Sequence, residues 1–396
     1  MADLQASIER VWAQISPARL LQTTYDFVSV ASPTGDERAF SLAYAGYLRS
    51  IGLDVEMDEE FPDSPSVIAR LRGRREHPLL QFDGHTDTIP TPHAAPSLDL
   101  GAGIVRGRGT ADMKGGLAAV AEALRAVRAV DVALEGSVLV TAHGMHEAPL
   151  GDQRTIRSLI RKGIKGDAAI VAEIGENFLT LAAKGMALFT IDISREGEPM
   201  HELEAPAALP HPLWAAGRLL ALLDERRREL ARQDLPLVGP ETLFVGEVHG
   251  GDFYNRVPTT ARVVGTRRFV APRTFDDIEA EFASFCRTVE QETGTTVRCH
   301  LKHVGYPFSI SADEPIVRCV RQAYRSATGQ DLPTRGINMV GNASDLVGLG
   351  GVPAVYHGVN QSTAHSDDEY VVAGDLVRAA RVYAASLLLY LNGSAA

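Results

Sequence analysis

At 396 residues the chain is longer than one hydrophobic core usually organises, so two domains are expected. Its 45% hydrophobic and 22% charged residues are ordinary for a globular protein. A formal net charge of -11 argues against nucleic acid or an anionic membrane as partner, since both select basic patches.

In chain order, residues 2–16, 18–30 and 36–52 carry apolar residues at helical spacing. Strand-like runs follow at 53–57, 66–71, 79–82, 137–142 and 168–172, with helical stretches 117–130 and 153–163 between the last three. This alternation predicts an α/β layer with a largely parallel sheet. From residue 184 the texture changes: strand 185–195, helix 209–233, strands 243–249 and 259–268, helix 275–292 and strand 296–304. Two helices and four strands make an α+β unit of ordinary domain size. After residue 307 the first texture returns with helix 314–328, strand 353–356 and helix 374–391. The expected organisation is an α/β domain of 1–183 and 307–396, interrupted by an α+β domain of 184–306.

Three cysteines without CxxC spacing, Cys286, Cys299 and Cys319, indicate neither a disulfide framework nor a thiolate zinc site. The start MADLQASIERVWAQI lacks the basic and apolar regions of a signal peptide, and no uninterrupted apolar run is of membrane-spanning length. A cytoplasmic protein is the expectation.

The chemistry gathers where strands end. His85 and Asp87 lie in Gly84-His85-Thr86-Asp87-Thr88, directly after a strand-like run. Glu147 lies just beyond 137–142, Glu173 just after 168–172, and His365 in the loop after 353–356. Asp112 sits in the glycine-rich turn Gly107-Arg108-Gly109-Thr110-Ala111-Asp112-Met113-Lys114-Gly115-Gly116. Open α/β sheets build sites at the carboxyl ends of their strands. Two imidazoles and three carboxylates suit one or two divalent ions, zinc, manganese or cobalt, with Asp87 orienting His85. Any one of these residues alone reads as a surface or capping group; the joint pattern carries the expectation.

HTDT, GRGTADMKGG, VAE and the late AHSDDEYV together resemble the M20 family of metallopeptidases and deacylases, along almost the whole chain. The resemblance implies a metal-dependent exopeptidase-like catalytic domain with an inserted lid and dimerisation domain. It implies His85, Asp112 and Glu173 as ligands, Asp112 bridging two metals, and Glu147 and His365 across the site. It also implies a cis peptide between Asp112 and Met113.

One position departs from the family. Members place two adjacent glutamates after the third strand, a general base and then a ligand; here His146 precedes Glu147. An imidazole has a reference pKa of about 6.5 and is competent to shuttle a proton near neutral pH. The readings for His146 are a substituted base or substrate-positioning group, an extra ligand, or the mark of changed chemistry.

In the inserted domain, Gly197-Glu198-Pro199-Met200-His201 resembles the family turn whose histidine stabilises the oxyanion. Asn255-Arg256-Val257-Pro258 resembles a substrate-bordering segment, and Arg268, or its neighbour Arg267, falls where the family presents an arginine to a substrate carboxylate. Gly341-Asn342-Ala343-Ser344-Asp345 resembles a glycine-rich loop whose amides bind that carboxylate. His143 is expected to be structural. The resemblance implies hydrolysis of a C–N bond beside a carboxylate, in an N-acyl amino acid or small peptide-like amide, by a homodimer or higher homo-oligomer formed through the inserted domain. Two alternatives stand beside it: hydrolytic deamination of an aromatic amine such as 5-nitroanthranilate, and a catalytically silent metal- or ligand-binding protein.

Overall fold

The computed structural model describes residues 2–393, in two compact units. One comprises 2–181, Ile310–Arg335 and 341–393; the other comprises Ala182–Ser309 and Gly336–Val340. The second unit is wider than the 184–306 read from sequence. It also takes Gly336–Val340, which the sequence reading left in the catalytic domain. The cause is close packing: a Cβ on Gly305 would lie 2.8 Å from the Val340 Cβ. The Lys184 amide also donates to the Ile337 carbonyl at 3.4 Å.

The first unit is built on a six-stranded sheet in the order Asp54–Asp58, Ser66–Leu71, Ser137–His143, Leu79–His85, Ala168–Val171, Ala354–Tyr356. The last four run parallel, while Ser66–Leu71 is antiparallel to both of its neighbours. Leu79–His85 and Ser137–His143 are buried at every residue. Burial on both faces is why these strands open as apolar runs instead of alternating. Their register sets His85 opposite His143, so the strands finish at one edge.

Helices supply the rest of this core. Pro17–Val28 starts on a built cap, with the Ser16 hydroxyl accepting the Arg19 amide and proline at the first position. Lys114–Val130 packs against Pro17–Val28 and Ala373–Asn392 and is buried along almost its whole length. It can approach the sheet because residue 116 is glycine: a Cβ there would lie 1.9 Å from the Ala172 carbonyl oxygen. That contact brings the start of the helix beside the strand end that carries Glu173.

A small antiparallel sheet of Ser97–Asp99, Ile104–Arg106 and Tyr370–Val372 escaped the sequence reading. Three-residue strands show no usable alternation, and the third strand comes from the far end of the chain. The sheet nonetheless places residue 369 beside the glycine-rich turn, where the Gly107 amide donates to the Glu369 carbonyl at 2.9 Å.

The second unit has the expected four strands and two helices. Thr242–Gly250, Thr260–Phe269, Gly185–Ser194 and Thr296–Gly305 form an antiparallel sheet in that order. Pro212–Leu230 and Phe275–Thr293 pack with it around Phe189, Leu219, Val263, Ile278 and Phe282. Phe275–Thr293 begins on a reciprocal cap between Thr274 and Asp277. Among the described residues no helix is long and apolar enough to cross a membrane.

Candidate metal centre

At the carboxyl edge of the parallel strands the first unit brings together His85, Asp112, Glu147, Glu173 and His365. His85 Nε2 lies 3.0 Å from Asp112 Oδ1 and 3.9 Å from Glu173 Oε2. His365 Nε2 lies 3.2 Å from Asp112 Oδ2 and 3.0 Å from Glu147 Oε1. Asp112 therefore stands between the two imidazoles, one oxygen toward each. Ligand atoms of His85, Asp112 and Glu147 fall within 4.8 Å of one another, as do those of His85, His146 and Glu173.

Two further observations fit this donor set to divalent cations. Burial and then the neighbouring Asp112 and Glu147 push the Glu173 pKa up to about 8, although His85 opposes the shift. Three carboxylates in one buried place exceed what the chain itself neutralises. Glu173 Oε1 is also buried without a hydrogen-bond partner among the described residues. Hydrogen bonds donated to Asp112 and Glu147 raise the His365 pKa to about 10. Burial disfavours a charged His85, but hydrogen bonds to Asp112 and Asp87 outweigh it and hold the pKa well above the ordinary value.

The surrounding residues aim these groups. His85 Nδ1 lies 3.0 Å from the Asp87 carbonyl oxygen, so its hydrogen sits there and Nε2 faces Asp112. Asp87 is fully buried and its Oδ2 accepts the amides of His146 (3.0 Å) and Glu147 (2.7 Å). One carboxylate thus fixes both the histidine strand end and the turn bearing Glu147. Met145 and His365 both adopt left-handed backbone, with φ of 58° and 63°. Such positions cost about 1–3 kcal/mol for residues other than glycine and cluster at functional sites.

The Asp112 turn depends on a residue the sequence reading passed over. Glu369 is buried, and its Oε1 accepts the amides of Ala111 (2.9 Å) and Asp112 (3.0 Å). Its Oε2 accepts the Gly109 amide (3.0 Å) and Arg108 Nη1 (3.1 Å). Gly109 meets this cradle with φ of 89°, a conformation that favours glycine. The Asp112–Met113 peptide is cis, the geometry the resemblance implies. The only sequence signal for Glu369 was its place within AHSDDEYV. Glu369→Gln turns an amide hydrogen toward backbone N–H groups and strips buried Arg108 of its counter-charge. A loss of about 3 kcal/mol or more in unfolding free energy is expected by chemical denaturation.

His146 is half-buried and stacks on His85, the rings 4.1 Å apart and within 4° of parallel. Burial and the facing His85 lower its pKa. Its Nδ1 lies 2.8 Å from Asn342 Oδ1. Gly341-Asn342-Ala343-Ser344-Asp345, read from sequence as a glycine-rich loop, enters helix Asn342–Gly348. Two of its amides are engaged, Ala343 to the Tyr356 hydroxyl (3.1 Å) and Ser344 to the Gly341 carbonyl (2.9 Å). The Asn342 side chain is buried against Asp83 and His146. His143 is buried beside the same Asp83 and Asn342.

In the second unit, the short ladder pairing His201 with Arg256 brings His201 and Asn255 together at 3.0 Å. His201 Nδ1 accepts the Leu203 amide, so the neutral ring carries its hydrogen on Nε2 as a donor. Arg267 and Arg268 alternate between the two faces of their strand. Arg267 is fully buried in ion pairs with Glu241 (2.7 Å) and Glu281 (3.1 Å). Arg268 points to the other face, is half-buried, and has no carboxylate partner among the described residues.

A family model described as peptidase family M20/M25/M40 matches residues 81–389. A succinyl-diaminopimelate desuccinylase from Methylobacterium radiotolerans is 28% identical, over 96% of this chain and 98% of that protein. Among solved structures, the aminopeptidase PepT from Bacillus cereus superposes with a TM-score of 0.80 at 19% identity, covering 95% of this chain and 99% of that one. A dinuclear metal-binding peptidase from Bacillus subtilis gives 0.71 at 14% identity, with 95% and 99% covered.

Proposed function

From the premise that this chain belongs to peptidase family M20/M25/M40, we propose that it is a metal-dependent hydrolase of a C–N bond beside a carboxylate. The substrate class is an N-acyl amino acid or small peptide-like amide. The observation that carries this reading is Asp112, set between His85 and His365 with Glu147 and Glu173 alongside. The name of the desuccinylase relative supports an acyl amino acid with a second carboxylate.

His85, Asp112, Glu147, Glu173 and His365 would hold one or two cations, with zinc, manganese and cobalt all suited to the donors. Bound there, divalent ions polarise a carbonyl and make water acidic enough to attack it near neutral pH. His146 removes a proton from the attacking water and delivers it to the departing amine. His201 offers its Nε2 hydrogen to the developing oxyanion in place of its contact with Asn255. Arg268 binds the substrate carboxylate. Arg268→Ala is expected to raise KM about 10–100-fold with kcat little changed, the loss of one charge-assisted contact, as measured by steady-state kinetics.

The second unit also supports a homodimer. Strand Thr242–Gly250 lies at the edge of its sheet and exposes Phe244 and Val248, which an unpaired edge strand would normally avoid. Sedimentation velocity is expected to give a dimer for the full chain and a monomer for Phe244→Lys. The three free cysteines and the acidic net charge suit a cytoplasmic enzyme acting on a small molecule, without nucleic acid or membrane as partner.

The function is tested on a panel of N-acyl amino acids, N-succinyl compounds included, set against aminobenzoates with ammonia release followed. Amide turnover that a chelator abolishes is the expected result. Ammonia from an aminobenzoate would transfer the enzyme to aromatic deamination. Tight binding of a carboxylate ligand without turnover of any compound would mark a silent binding protein.

A further inference from the structure

We propose that the buried pair Asp83 and Asn342 dictates which nitrogen of His146 carries hydrogen, leaving Nε2 as the bare, reactive nitrogen. The inference deepens the proposed function and rests on its use of His146. The hydrogen-bond chain behind it needs no substrate.

Asp83 is buried in the central strand, two residues before His85. Its Oδ2 accepts the Thr141 hydroxyl at 2.5 Å, and the Thr141 oxygen in turn accepts Gln81 Nε2 at 2.7 Å. Its Oδ1 lies 2.8 Å from Asn342 Nδ2. A carboxylate only accepts, so the amide nitrogen of Asn342 must face Asp83 and its oxygen must face away. That oxygen lies 2.8 Å from His146 Nδ1. An amide oxygen also only accepts, so Nδ1 must supply the hydrogen.

A second neighbour fits this assignment once its side-chain amide is turned. Gln153 Nε2 is placed 3.1 Å from the same Nδ1, while Gln153 Oε1 is buried without a partner. Nitrogen and oxygen of a side-chain amide exchange on a half-turn. The exchange would give Nδ1–H a second acceptor and satisfy the orphaned oxygen. Stacking on His85 holds the ring plane. Nε2 has no hydrogen-bond partner among the described residues, and a ring nitrogen of His146 lies within 4.8 Å of ligand atoms of His85 and Glu173.

The pair therefore selects histidine. A carboxylate at position 146, as the resemblance leads one to expect, would set acceptor against acceptor at Asn342. Asp83 prevents the amide from turning to relieve it. Asp83 and Asn342 act through His146 and are positioning residues.

The test uses the full chain labelled with 15N-histidine, free of metal, at a pH about two units above the ordinary histidine value. Long-range 1H–15N correlation reads the hydrogen position, and loss of a signal in His146→Gln assigns the resonance. Wild type is expected to carry hydrogen on Nδ1, and Asn342→Leu and Asp83→Asn to move it wholly or partly to Nε2. In the metal-loaded enzyme both substitutions are expected to lower kcat about 10–100-fold with KM within about twofold. Hydrogen on Nε2 in wild type, or on Nδ1 in all three proteins, overturns the inference. Should either variant fail to fold, the wild-type spectrum still decides. If wild type turns over no amide yet keeps Nδ1–H, the functional reading falls and this one stands.

Discussion

Replacing His146 by alanine, at constant metal content, is expected to lower kcat about 10²–10⁴-fold, the usual contribution of a positioned acid–base group. KM should change little, because Arg268, the proposed anchor of the substrate carboxylate, and the metal donors are untouched. His146→Glu is the sharper experiment. It restores the residue type that the resemblance implies, yet it is expected to recover only part of the lost rate. The new carboxylate would meet the Asn342 oxygen that now receives the His146 Nδ1 hydrogen at 2.8 Å. Combining His146→Glu with Asp83→Asn frees the Asn342 amide to turn its NH2 toward position 146, and should recover more. Single-turnover kinetics with metal content measured on each variant give the answer. Full activity in His146→Ala would remove His146 from proton transfer and leave it as a ligand or packing residue.

The clustering of the candidate metal donors was legible in the sequence because it is carried by regular elements. Leu79–His85, Ser137–His143 and Ala168–Val171 are parallel strands buried on both faces, so each shows as an apolar run with chemistry at its end. The outer supports were not legible, because each is a pairing between distant parts of the chain. Glu369 reaches Gly109 across 260 positions, delivered by strands too short to show a period. Asn342 lies in a glycine-containing segment whose composition suits a loop as well as the short helix it starts. Arg267 and Arg268 alternate in a strand, and sequence marks the alternation without telling which face the helices cover. Glu281, from helix Phe275–Thr293, shows that Arg267 takes the covered face.

A second large effect is expected at Glu173, and its sign depends on whether metal is bound. Metal-free Glu173→Gln should be at least as stable as metal-free wild type, although the position is only 2% exposed. Substitution of a buried charged residue ordinarily destabilises because a partner is stranded. Here Oε1 has no hydrogen-bond partner among the described residues, His85 Nε2 is 3.9 Å from Oε2, and Asp112 and Glu147 repel the charge. Above about pH 8, where Glu173 is ionised, removing that charge relieves more than it breaks, a burden on the fold of the kind that functional sites retain. With zinc present the order should reverse. A ligand that binds only the folded state adds about 4 kcal/mol when free metal exceeds Kd about 1,000-fold. Wild type should gain that increment, while the variant, offering a neutral amide where the carboxylate stood, gains far less at the same metal concentration. Denaturant unfolding of both proteins, with chelator and with zinc, separates the terms. An unchanged zinc increment in Glu173→Gln, together with a large loss of metal-free stability, would make Glu173 a structural residue and move the metal donors elsewhere.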